Sequence, residues 1–102
     1  MKQLLKHKGY YGEVYYSVED ECYVGRVLGF KGMIAVHENT APETIKELID
    51  AIDEYLEDCA EEGRTPNTTD PKVALEMEAL LGKKNEDDFF VVENRKSLAF
   101  AN

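Results

Sequence analysis

The stretch TAPETIKELIDAIDEYLEDCAEEG, residues 40–63, decides the fold. Thr40 stands three residues before Glu43, the spacing of a capping box, and Pro42 falls in the first turn, where a missing N–H costs nothing. Ile45, Leu48, Ile49, Ile52, Tyr55, Leu56 and Cys59 then recur at intervals of three and four. At about 100° per residue they share one face of a helix. Glu43, Glu47, Asp50, Glu54, Glu57, Asp58 and Glu61 fall on the opposite face. Gly63 is placed as the residue just past the helix end, and Pro66 prevents continuation. One long amphipathic helix is therefore expected, with its apolar stripe on a sheet and its acids turned away.

Upstream the period is two. Tyr10, Gly12, Val14, Tyr16 and Val18 alternate with Tyr11, Glu13, Tyr15 and Ser17, the pattern of a half-buried strand. Glu19-Asp20-Glu21 suits a hairpin turn, and Cys22–Leu28 makes a second run. Gly29 and Gly32 mark another turn, and Met33–Val36 a short third strand. Connections this short imply an antiparallel meander, because parallel neighbours need a long crossover. Residues 1–8 show no strong pattern and read as a lead-in.

Downstream, residues 64–69 form a polar linker. Asp70-Pro71 signals a second helix start, and Val73, Met77, Leu80 and Leu81 give a short amphipathic helix ending at Gly82. Residues 83–88 are charged and loop-like. Phe89-Phe90-Val91-Val92 is a β-run able to supply a fourth strand. Ser97-Leu98-Ala99-Phe100 suits a further strand or an exchanged arm. The fold class is thus α+β: an antiparallel sheet of three to four strands, one long helix on one face, and a short second helix.

A chain of 102 residues is one domain's length, and 43% apolar content supports a modest core. The net charge of −9 has an address. Residues 1–40 balance five bases against five acids, whereas residues 41–62 set nine acids against Lys46 alone. A pI near 4.6 disfavours nucleic acid and anionic membrane as partners, since both need a basic footprint. No apolar run approaches a membrane span, and the first residues lack a secretory pattern. A cytoplasmic setting is expected, with Cys22 and Cys59 as small buried hydrophobes.

No strong catalytic motif is present. There is no phosphate-binding glycine loop, and neither His7 nor His37 lies in a zinc-like or nucleophile-activating spacing with a cysteine. No catalytic residue, metal or cofactor is expected. The helix acids admit three uses: a solvated face, a docking surface for a basic partner, or metal ligation in which Glu13, Glu38, Glu43 and Asp50 converge. Tyr11 and Tyr15 lie on the face away from the long helix. They serve as a partner or dimer surface, or as cross-strand pairs.

Several stretches, taken in order, resemble the HicB antitoxin family: Gly9–Val14, Ser17–Asp20, Gly25–Gly29, Ala41–Leu48, Asp53–Cys59 and Glu62–Pro66. The resemblance spans about residues 8–67. It implies a β-β-β-α domain over 1–67, related to a degraded RNase H fold without its catalytic carboxylates. Residues 68–102 would be a C-terminal extension, with a helix over 71–81 and a strand over about 89–93 completing the same domain. The family typically neutralises HicA, a small basic toxin that cleaves mRNA. The resemblance thus implies a non-enzymatic antitoxin that occludes a basic toxin. Glu47, Asp50, Glu54, Glu57, Asp58, Tyr11 and Tyr15 are the candidate contacts. After Pro66 the chain departs from the family: the usual ribbon-helix-helix or helix-turn-helix module is not recognisable, so operator DNA binding is not expected. A second reading is an orphan homo-oligomeric interaction module, and a third a residual metal-dependent nuclease.

Overall fold

The computed structural model describes residues 2–81 and 89–93. The expectations for Gly82, the loop at 83–88 and the segment Ser97–Phe100 lie outside the described residues. In chain order the elements are β1 (Lys2–His7), β2 (Tyr10–Ser17), β3 (Cys22–Leu28), β4 (Ala35–Glu38), α1 (Ala41–Glu62), α2 (Pro71–Leu81) and β5 (Phe89–Glu93). The architecture is α+β. β1 to β4 form an antiparallel meander, and β5 adds to β1 in parallel, giving a five-stranded sheet of order β4-β3-β2-β1-β5.

Two sequence expectations are corrected. Residues 1–8 are no lead-in: Lys2–His7 is a strand paired with β2 on one side and β5 on the other. It turns into β2 through Lys8 and Gly9, with φ of 50° and 84°, the two left-handed residues of a tight hairpin. The short strand expected at Met33–Val36 instead covers Ala35–Glu38. Gly32 turns the chain at φ 122°, and Met33 stays 87% exposed.

α1 begins and ends as its sequence dictates. The Thr40 hydroxyl accepts from the Glu43 N–H, and Gly63 adopts φ 70°, so that the Gly63 and Arg64 amides reach the Ala60 and Cys59 carbonyls. Leu48 and Ile52 are fully buried against Leu5, Tyr10 and Val14 on one sheet face. Each such burial contributes about 1.5–3 kcal/mol.

The opposite face is covered in part by α2, whose Met77 packs on Leu4 and Tyr11, with Val73, Leu80 and Leu81 alongside. The linker between the helices is held down residue by residue. The Tyr10 hydroxyl donates to the Asn67 carbonyl, the Asn67 amide donates to the Tyr55 hydroxyl, and the Asp70 amide donates to the Gly29 carbonyl. Tyr10, Phe30 and Tyr55 meet edge to face at 5.2–6.5 Å beneath it.

Candidate partner-binding surface

α1 carries its charge on the side its core stripe leaves free. Because Leu48, Ile52 and Cys59 point into the sheet, Glu47, Asp50, Glu54, Glu57 and Asp58 are exposed on the far side. All but Asp58 line one open groove of about 610 Å³, shared with Ala51 and Asp53 and floored at its sheet edge by Val36 of β4. The field there is negative. Two of the groove acids hold cations: Lys46 lies 3.0 Å from Asp50, and Lys8 2.9 Å from Asp53. The hydrogen bond to Asp50 holds the Lys46 ammonium above its ordinary range.

Asp53 belongs to this surface although the sequence reading did not single it out. Its carboxylate, 20% exposed, lies 2.7 Å from Nε2 of His7, which is itself 1% exposed on β1. His7 thus ties the first strand to the acidic helix. No local motif marks it: a histidine in a stretch read as lead-in carries no spacing signal.

The two candidate tyrosines part company. Tyr11 is not exposed, contrary to the expectation for its face. It is buried beneath α2, and its hydroxyl donates to Glu78 at 2.5 Å. That hydrogen bond raises its pKa, and desolvation adds to the shift. Tyr15 lies half-buried beyond the reach of α2, opposite Val24 of β3. It remains accessible to a partner, but it does not join the helix acids, which lie across the sheet.

The carboxylates considered for metal catalysis do not converge. Glu13 is buried on β2, only 4% exposed, and held between Lys2 at 3.0 Å and Arg26 at 2.5 Å. Burial pushes its carboxyl up, yet hydrogen bonds from Lys2 and Arg26 outweigh that and hold it below the ordinary range. Glu43 is occupied at the helix cap, where it accepts from the Thr40 hydroxyl. Among the described residues no group of three or more His, Cys, Asp or Glu side chains is placed to hold a metal ion.

A second concavity, of about 450 Å³, opens on the other face of the same sheet edge, lined by Asp20, Cys22, Val24, Ala35, Val36 and His37. Cys59 is buried as expected, but Cys22 is only half-buried: it lines this concavity at the end of β3 opposite the Leu28 end on which α2 packs. Among the described residues no helix is long and apolar enough to cross a membrane. Searches against family models, curated proteins and solved structures return no match.

Proposed function

We propose that this chain is a HicB-like antitoxin that binds and occludes a small basic mRNA-cleaving toxin through the outer face of α1, with no chemistry of its own. The observation that carries the reading is the groove formed by Glu47, Asp50, Asp53, Glu54 and Glu57 on a helix capped at both ends. A surface that binds RNA phosphates must be basic, so an acidic face of matching extent attracts it and excludes RNA. The ordered resemblance of residues 8–67 to the HicB family supports the same assignment. A cytoplasmic location goes with this reading.

The test is titration of the purified chain into a HicA-type toxin, with RNA cleavage and binding read at low and at raised salt. Near-stoichiometric inhibition that weakens with salt is expected. Combined Glu47→Lys, Asp50→Lys and Glu54→Lys substitution should weaken binding by about a hundredfold or more. Absence of binding at low salt overturns the proposal.

A further inference from the structure

The geometry points to strand addition: β4 takes up an extended segment of the basic partner, one whose residues alternate basic with small apolar. This rests on the reading of α1 as the partner-facing helix, and it specifies how the partner engages.

Three observations converge on β4. First, β4 closes one end of the sheet, and among the described residues no strand lies on its outer side. Its register fixes which groups face outward. The Val27 amide donates to the Ile34 carbonyl, and the partners run Gly25↔Val36 and Tyr23↔Glu38. Antiparallel ladders alternate hydrogen-bonded with open pairs, so Ile34, Val36 and Glu38 turn their backbone groups toward β3. Ala35 and His37 turn theirs away from it. An added strand would find two N–H and two C=O groups waiting at those residues.

Second, the edge is only lightly defended. Natural edges are blunted by short length, charge, proline or a bulge. β4 reads Ala35-Val36-His37-Glu38: it is short and ends on one acid, which does not repel a basic strand, and it has neither lysine nor proline.

Third, the two grooves described above meet at this edge and share Val36. Successive side chains of an added strand point to opposite faces of the sheet. One set would point toward the side of Glu47, Asp50 and Glu54, and the other toward Cys22, Val24 and His37, with Asp20 the one acid of that lining against the several of the first. The first side calls for lysine or arginine, and the second for a small apolar side chain. Main-chain bonding supplies affinity, and this alternation supplies selectivity. A second copy of this chain is the poorer occupant, because it would bring a second Glu47 to the same groove.

The experiment is amide hydrogen exchange and chemical-shift mapping on the full chain. The probes are a short blocked peptide alternating lysine with valine, a block-ordered peptide of the same composition, and an alternating glutamate–valine peptide. With the first at saturation, exchange at the Ala35 and His37 amides should slow by about tenfold, while those of Val36 and Glu38, already bonded to β3, change little. The other two peptides should leave Ala35 and His37 unprotected. Ala35→Pro and His37→Pro each remove one outward donor and leave the bonds to β3 in place. Each should weaken the lysine–valine peptide by about tenfold.

Equal protection by the block-ordered or glutamate peptide overturns the proposal, as does binding of the lysine–valine peptide with both amides unprotected. Protection that appears with rising protein concentration alone assigns the edge to self-association and also overturns it. The same exchange measurement on the toxin complex separates the two proposals. Toxin bound with Ala35 and His37 unprotected refutes strand addition and spares the antitoxin reading. Failure of the toxin to bind refutes that reading instead.

Discussion

Gly12 of β2 lies directly beneath Leu48 of α1: a Cβ built on Gly12 would stand 2.8 Å from Leu48 Cδ2 and 3.0 Å from the Arg26 carbonyl oxygen. The absence of a side chain lets the helix seat on the sheet. Gly12→Ala must therefore displace a packed leucine or the β3 backbone. It should destabilise the fold by about 1–3 kcal/mol. Chemical denaturation with an unchanged m-value would check this, and a variant as stable as the parent would refute the close approach.

Glu13 ties the pH response to β2. Its folded pKa is lowered, so its unfolded form binds protons more readily. It therefore contributes stability that is present above the ordinary carboxylate pKa and is lost as pH falls through the folded value. Thermal unfolding followed from neutral pH into the acid range should show the parent losing stability faster than Glu13→Gln, which should already be less stable at neutral pH. Parallel curves would show that the Lys2 and Arg26 contacts contribute nothing.

The linker depends on Tyr10. Its hydroxyl is bonded to the Asn67 carbonyl, and its ring stays packed if the oxygen is removed. Tyr10→Phe should cost about 1 kcal/mol. Limited proteolysis should then cut faster between residues 64 and 70, and equal cleavage rates would place the restraint elsewhere.

Thr40 caps α1 through its hydroxyl and also receives the Thr44 hydroxyl on its carbonyl. Thr40→Ala removes both hydroxyl bonds to Glu43 and leaves the one on the carbonyl. A loss of about 1 kcal/mol is expected, with Thr40→Ser, which keeps a hydroxyl for both the Glu43 amide and the Glu43 carboxylate, close to the parent. Equal losses in both variants would argue against capping as the cause.

α1 was legible to the residue because its caps and its period are both local. The first strand was not. Leu4 and Leu5 are adjacent and both buried, since α2 covers one face of β1 and α1 the other. A strand covered on both sides loses the alternation that marks a half-buried one. Tyr11 failed for a related reason: period two separates the faces of β2 but says nothing of which distant helix covers each. The acidic face of α1 could be read from the sequence, because charge opposite an apolar stripe is a property of one helix. The groove it forms with Val36 could not, because that depends on where β4 stops beside it.

β5 pairs Lys2 with Phe89, so β1 lies between its immediate neighbour β2 and one of the most distant elements of the chain. During synthesis, β1, β2 and β3 can form their hairpins early, yet one side of β1 stays open until residue 93 has left the ribosome. Closing so long a loop is a late and entropically expensive step. A nascent chain therefore presents β1 as an open sheet edge, which β5 covers in the finished protein. That edge is hazardous, since in the interim it can capture a strand from a neighbouring nascent copy.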